Sequence, residues 1–314
     1  MDSTSLLSLS PSPHVKHKST TTVVMRDVLI ALAPAFIWSV VVFGLKALLL
    51  TAISVAACVL FEFGYQKLMK KPVTISDLSA AVTGVLLAFN LPSTAAWWVV
   101  LPGAFFAIVI VKQLFGGIGK NVVNPAIAAR IFMFVSWPQQ MSYFNEPMSD
   151  AISSATPLAS LKAGVLPGYS IMDAFLGFIP GSLGEVSALM ILIGLAYLLV
   201  RRVITWHIPV SFLGTVALFA LIFPVAGNAV QSLAYSLFSG GLMLGAVFMA
   251  TDYTTSPVTK TGRLIYGFGC GLLTVAIRYL GAYAEGASFA IMIMNLLVWY
   301  IDRVTLPKPF GSRD

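Results

Sequence analysis

The segment Lys46-Ala-Leu-Leu-Leu-Thr-Ala-Ile-Ser-Val-Ala-Ala-Cys-Val-Leu-Phe-Glu-Phe-Gly-Tyr65 indicates the fold class. Its length matches the ~20 residues that a helix needs to cross ~30 Å of hydrocarbon. Similar apolar stretches recur along the 314-residue chain, which is 58% hydrophobic and only 10% charged. Soluble domains are roughly 25% charged. The sequence therefore predicts an all-α integral membrane protein.

About ten transmembrane helices are predicted, at residues 27–43, 46–65, 77–91, 97–115, 122–137, 183–200, 207–224, 232–250, 263–283 and 287–304. Two sets of five helices give an inverted repeat, because an odd number of crossings reverses the second set. The predicted organisation is an N-terminal tail (1–26), a first five-helix repeat (27–137), a long connection (138–182), a second repeat (183–304) and a C-terminal tail (305–314).

The distribution of positive charge predicts the orientation. Most of the 19 Lys and Arg residues fall on one side of the membrane when the N-terminus is placed in the cytoplasm. By the positive-inside rule, both termini are then cytoplasmic and the connection 138–182 lies outside. The same distribution argues against nucleic acid as the reason for the net charge of +7. No metal site is expected, because no cluster of Cys and His has metal-ligand spacing.

The third and eighth stretches share an unusual form: each combines small residues with a polar end that terminates at a proline, Pro92 or Pro257. Half-helices that stop inside a membrane protein are tolerated only where they face protein, water or a ligand. Both stretches are therefore candidates to line a central site. Ordinary helix termination at the membrane surface is the alternative. Charged residues inside spans also allow two interpretations. Such a residue faces protein or water, or its side chain extends to the membrane surface. The residues concerned are Glu62, Asp77, Arg130, Asp252 and Arg278.

The connection contains a short polar segment, Asp150-Ala-Ile-Ser153-Ser154-Ala155-Thr156-Pro157-Leu158. Pro157 favours an extended conformation at Thr156, which would present the threonine side chain outward. A threonine hydroxyl is a poor nucleophile without a neighbouring base, so its modification would need a dedicated transferase. A helix N-cap or a Ser/Thr turn would explain the same composition.

Several blocks of sequence resemble a known family. The block Gly116-Gly117-Ile118-Gly119-Lys120-Asn121-Val122-Val123-Asn124-Pro125-Ala126 is similar to a signature shared by two related membrane proteins, the D subunit of the Rnf electron-transport complex and the B subunit of the sodium-translocating NADH:quinone oxidoreductase. Further resemblance lies in residues 82–92, 248–257 and 291–295, in the right order. The resemblance covers nearly the whole chain beyond the N-terminal tail. The chain length favours the Rnf type.

This resemblance implies a covalent flavin. In the family, an Asp-x-x-(Ser/Thr)-Gly-Ala-Thr motif carries FMN esterified to its threonine by a flavin transferase. Asp150, Ser153, Ala155 and Thr156 match the motif, and Ser154 replaces the glycine. Serine is small, so attachment at Thr156 is still expected.

The resemblance also implies a second, non-covalent flavin, riboflavin, and a set of partners. Asn90, Asn124 and Asp252 are candidates to line the riboflavin or central site, because they are polar and lie near the interrupted spans. The implied function is electron transfer coupled to movement of Na⁺ or H⁺ across a bacterial or archaeal cytoplasmic membrane. The implied partners are membrane, flavin and iron–sulfur subunits of a ferredoxin:NAD oxidoreductase complex.

Two alternatives remain open. The first is a secondary transporter or channel without flavin, since inverted repeats and broken helices also suit that class. The second is the quinone-reductase type, in which the protein would bind a quinone as well.

Overall fold

The computed structural model describes residues 20–149, 152, 153, 156–185 and 187–307. This part of the chain is mostly helical. Its helices are α1 (Thr21–Phe43), α2 (Leu45–Leu68), α3 (Ser79–Phe89), α4 (Trp97–Gln113), α5 (Pro125–Ser136), α6 (Pro138–Ser142), α7 (Pro157–Lys162), α8 (Ile171–Leu176), α9 (Ala188–Val200), α10 (His207–Ile222), α11 (Ala229–Phe238), α12 (Leu242–Met249), α13 (Lys260–Leu280) and α14 (Ala287–Thr305). Strands β1 (Phe144–Asn145) and β2 (Ile152–Ser153) form one short antiparallel pair.

Each of the ten predicted apolar stretches contains a helix, but the helices differ in length. Within the described residues, four are long and apolar enough to cross a membrane: α1, α2, α13 and α14. The pair α11 and α12 would form a fifth span, bent by 63°. The other apolar helices, α3, α4, α5, α9 and α10, are shorter. The all-helical membrane class is therefore confirmed.

The ends of two helices follow from local sequence. Helix α1 begins at Thr21, inside the predicted tail, because the side chain of Thr20 accepts a hydrogen bond from the Val23 N–H and caps the helix. Helix α5 begins after Asn124, whose side chain accepts from the N–H groups of Ala126 and Ile127. Pro125 occupies the first turn of α5, where a missing N–H costs nothing.

Small residues allow the helices to pack closely. At Gly84 in α3, a Cβ atom would lie 2.7 Å from the Cα of Val55 in α2. Gly267 and Gly271, one turn apart on α13, make the same kind of approach to α10. Such spacing of small residues is the usual means of helix association in membranes, where burial of apolar surface does not distinguish a neighbouring helix from lipid.

The third and eighth stretches are both interrupted. Helix α3 has only 11 residues, is preceded by a single 3₁₀ turn at Ile75–Asp77, and ends at Phe89, ahead of Pro92. In the eighth stretch the break lies between α11 and α12, at residues 239–241, where Gly240 has a φ of 73°. The interruption therefore falls inside the eighth stretch, well before Pro257. Segments of α4 (Phe106–Gln113) and α12 (Gly245–Met249) are π-helical.

The connection 138–182 is folded onto the helices. It contains α6, the β1–β2 pair, α7 and α8. Leu158 and Leu161 of α7 are buried in an apolar cluster with residues of α8 and α11. Lys162, at the end of α7, donates hydrogen bonds from Nζ to the carbonyls of Gly281 (2.5 Å) and Tyr283 (2.7 Å). These contacts hold the end of α7 beside the link between α13 and α14.

Candidate functional site

Thr156 lies in the wall of a cavity of about 270 Å³, called here the Thr156 cavity. Its backbone is extended (φ −70°, ψ 154°), as predicted from Pro157. Its side chain also caps α7, since Oγ1 accepts a hydrogen bond from the Ala159 N–H at 3.2 Å. The two interpretations of this residue from the sequence are therefore compatible: Thr156 is a helix cap whose side chain borders a cavity.

One wall of the Thr156 cavity is aromatic. Tyr283 and Phe289 stack with ring centroids 5.3 Å apart, and Phe134 meets both rings edge-on. Phe144 of β1 also lines the cavity. A concave, mostly apolar space with a few polar groups is the usual form of a cofactor site, and the volume is close to the ~300 Å³ lower bound for such pockets.

The polar groups of this cavity form one charged cluster around Arg130 of α5. Nη1 of Arg130 donates to Oε1 of Glu185, and Nη2 donates to Oε2 of Glu285. Nη1 also lies 2.5 Å from Oδ1 of Asn90 at the end of α3. The N–H of Gly241, at the break between α11 and α12, donates to Oε1 of Glu285. Both interrupted helices therefore end on the same cluster.

A second arginine, Arg278 of α13, is buried close to these carboxylates. Its Nη1 donates to the carbonyl of Ser236 at 2.7 Å. Its Nε and Nη2 have no hydrogen-bond partner among the described residues. With Glu185 and Glu285 ionised, the two arginines make the cluster neutral overall.

Asn124 and Asp252 line a different cavity, of about 100 Å³, called here the Asp252 cavity. It is bordered by α1, α3, the glycine-rich turn before α5, and the segment that follows α12. Hydroxyls of Thr254 and Thr255 donate to the Asp252 carboxylate at 3.1 and 3.4 Å.

The candidate residues are thus divided between two cavities at opposite ends of α5. Thr156 borders one cavity, and Asn124 and Asp252 border the other. Asn90 lines neither; it lies between them, where its Nδ2 is 3.8 Å from Sδ of Met249 and its Oδ1 meets Arg130. Ser153 belongs to β2, whose backbone pairs with β1. Asp150, Ser154 and Ala155 lie outside the described residues.

Sequence reasoning missed Glu185 and Glu285. Both lie at the edges of apolar stretches, where charged residues are common and do not indicate a buried site. The available signal was Arg130: a guanidinium within an apolar stretch calls for a carboxylate partner, and the chain has only 12 Asp and Glu residues.

A second buried charge pair lies beside the Asp252 cavity. Nζ of Lys112, which lines that cavity, donates to Oε2 of Glu62 and to Oγ of Ser79, both at 2.7 Å. Nε2 of Gln113 donates to the other Glu62 oxygen at 2.9 Å. Glu62 therefore faces protein, which decides one of the ambiguities left by the sequence.

These features define a multi-helix membrane protein with a cavity that is bordered by the hydroxyl of Thr156 and by a buried charge cluster. Comparison with known proteins assigns it more closely. Residues 8–311 match the model of the NQR2, RnfD, RnfE family, and the chain belongs to that family. The resemblance identified from the sequence blocks is therefore confirmed.

Three relatives illustrate the match. The chain is 49% identical to the D subunit of the Na⁺-translocating ferredoxin:NAD⁺ oxidoreductase complex of Acetobacterium woodii, over 97% of this chain and 95% of the relative. It is 37% identical to the D subunit of the proton-translocating ferredoxin:NAD⁺ oxidoreductase complex of Clostridium ljungdahlii, over 98% and 97%. It is 38% identical to the D subunit of the ion-translocating oxidoreductase complex of Stutzerimonas stutzeri, over 92% and 91%.

Proposed function

We propose that this protein is the electron-carrying membrane subunit of an ion-translocating ferredoxin:NAD oxidoreductase complex, with FMN esterified through its phosphate to Thr156. The observation that carries the proposal is the position of Thr156 in the wall of an aromatic-lined cavity. A hydroxyl at that position can be linked to a group that also occupies the cavity. The relatives' names support the complex.

The residues around the cavity fit a flavin. Phe134, Tyr283 and Phe289 offer apolar faces and edges to a planar ring. The attachment motif Asp150, Ser153, Ser154 and Ala155 would serve the flavin transferase during maturation. When bound, FMN supplies the redox chemistry, and the protein supplies binding and electrostatics.

The complex supplies the partners. Soluble subunits would handle ferredoxin and the nicotinamide, and membrane, flavin and iron–sulfur subunits would exchange electrons with this chain. The two ferredoxin-linked relatives differ in the ion that their names give, sodium in one and the proton in the other. We therefore propose coupling to Na⁺ or H⁺ without choosing between them.

We further propose that the ten apolar stretches cross a bacterial or archaeal cytoplasmic membrane as two inverted five-helix sets. The Thr156 cavity would then face outward and both termini would be cytoplasmic. The charges support this orientation, because the exposed residues Lys120, Arg201 and Arg202 adjoin chain segments that line the Asp252 cavity, at the other end of α5.

For the Asp252 cavity we propose a non-covalent flavin, riboflavin, held in part by Asn124 and Asp252. Its smaller volume requires that side chains move apart to admit the ligand. Denaturing the purified protein should release a flavin identified by mass as riboflavin, and Asp252→Asn should lower its yield. Asp173→Asn, which alters a carboxylate that caps α8, is the control. Unchanged riboflavin content in Asp252→Asn would contradict this site.

The covalent flavin is tested by comparing two variants that lose the same structural contact. Thr156→Ala removes the N-cap of α7, and Ser170→Ala removes the N-cap of α8 in the same connection. Each loss costs about 1 kcal/mol. On a denaturing gel of protein from a host with the flavin transferase, wild type and Ser170→Ala should fluoresce, and Thr156→Ala should not.

Fluorescence that persists in Thr156→Ala would place the flavin elsewhere. Its absence from wild-type protein made in that host would favour a transporter or channel without flavin.

A further inference from the structure

We propose that Arg130 sets the reduction potential of the flavin on Thr156, and that Glu285 opposes it. This inference rests on the proposed attachment of FMN. The charged cluster around Arg130, which could not be predicted from the sequence, then has a defined electrostatic role. The role follows from three observations: where Arg130 lies, how it is held, and which charges share its cavity.

Arg130 is both accessible to the cavity and fixed. It lines the Thr156 cavity, although only 9% of its surface is exposed. Its guanidinium is held by Asn90 of the α3 end, by Glu185 of the segment before α9, and by Glu285 of the link between α13 and α14. Three anchors from separate parts of the fold leave the charge little freedom to move. A fixed charge can act on an occupant of the cavity without reorganisation.

The sign of the effect follows from charge. A guanidinium remains protonated at all physiological pH values. When a one-electron donor reduces the flavin, the cavity gains one negative charge, and a nearby cation favours that reduced form. The cavity lining is largely apolar and Arg130 is buried, so the interaction is screened less than it would be in water. Arg130 should therefore raise the reduction potential.

Glu285 should act in the opposite direction. Its carboxylate lines the same cavity, and its side chain is 33% exposed, the most accessible carboxylate of the cluster. Glu185 is almost fully buried, at 3% exposure. Arg278 is buried and does not line the cavity, so its positive charge partly compensates the two carboxylates from the side away from the cavity. Removing the charge of Glu285 leaves the positive charge of Arg130 less compensated.

The test is a redox titration of the full-length chain from a flavinylating host. Dithionite is the reductant, and the Thr156→Ala chain is the blank for any non-covalent flavin. At the same solution potential, Arg130→Gln should lower the ratio of reduced to oxidised covalent flavin at least tenfold relative to wild type. A tenfold change corresponds to a fall in the reduction potential of about 59 mV for a one-electron couple. Arg130→Lys should recover part of the shift. Glu285→Gln should shift the ratio the other way.

Lys67→Gln removes a positive charge from the exposed end of α2 and should leave the ratio unchanged. Equal potentials in wild type, Arg130→Lys and Glu285→Gln, or shifts of the same sign in Arg130→Lys and Glu285→Gln, would overturn the inference. This design stands even if Arg130→Gln does not fold, because Arg130→Lys and Glu285→Gln keep hydrogen-bonding groups in place. Absence of covalent flavin from the wild-type chain would instead refute the proposed attachment.

Discussion

The buried pair Glu62–Lys112 yields the sharpest prediction about stability. The two side chains are 1% and 4% exposed, and Nζ of Lys112 lies 2.7 Å from Oε2 of Glu62. Glu62 also accepts from Gln113. Glu62→Ala would leave a buried ammonium without its counter-charge and a buried amide without its acceptor.

The magnitude follows from the burial. At an effective dielectric constant near 20, the attraction at this separation is about 6 kcal/mol, but the cost of removing both ions from water offsets most of it. Loss of one partner of such a pair destabilises by about 3–5 kcal/mol, since the remaining charge stays buried. Replacing both partners in Glu62→Leu with Lys112→Met should bring stability back to within about 2 kcal/mol of wild type.

The Asp27–Arg201 pair is a matched control. Its Nη2–Oδ2 separation is 3.0 Å, but the Arg201 side chain is 47% exposed. In Asp27→Ala the released guanidinium remains solvated, so the loss of stability should be much smaller than in Glu62→Ala.

The assay is unfolding of the full-length chain in mixed micelles with increasing dodecyl sulfate. The expected order of stability is wild type, then Asp27→Ala and the double variant, then Glu62→Ala well below them. A Glu62→Ala protein as stable as Asp27→Ala would refute the reasoning, and so would a double variant no better than Glu62→Ala.

Three further predictions concern packing and positioning. Gly184→Ala should destabilise the fold by about 1–3 kcal/mol, because a Cβ would overlap the buried ring of Phe89; chemical unfolding equal to wild type would contradict this. Asn124→Ala should cost about 0.5–2 kcal/mol through loss of the α5 cap, and Asn124→Ser should recover much of it in the same assay. Lys162→Met should speed proteolysis of the 138–182 connection, because both carbonyl contacts of Nζ are lost; a digestion rate equal to that of Lys67→Met would count against that anchoring.

Much of the helical framework could be predicted from the sequence, because runs of apolar residues near membrane length leave few other structures. The extended backbone of Thr156 followed from Pro157, and it also suits the N-cap position of α7. These are local effects, in which neighbouring residues determine the conformation.

The charge pairs could not be predicted in the same way. Glu62 was recognisable as a charge in an apolar stretch, but its partner Lys112 lies on α4, in a segment whose π-helical turns depend on packing. Arg130 raised the same question, and its partners come from two links whose sequences carry no periodic pattern. The interruption of the eighth stretch lies at residues 239–241 and not at Pro257. Gly240 and Gly241 lie there so close to the carboxylates of Glu285 and Glu185 that a Cβ atom would not fit, and this contact between distant parts of the chain could not be predicted from the local sequence.

The measurement that tests the central claim most directly is the mass of one tryptic peptide. Cleavage after Arg130 and Lys162 gives the peptide 131–162, which contains Thr156 and no other cleavage site. In protein purified from a flavinylating host, this peptide should be heavier by one FMN less one water, and fragmentation should locate the added mass on Thr156. An unmodified peptide, or FMN on a different residue, would contradict the account.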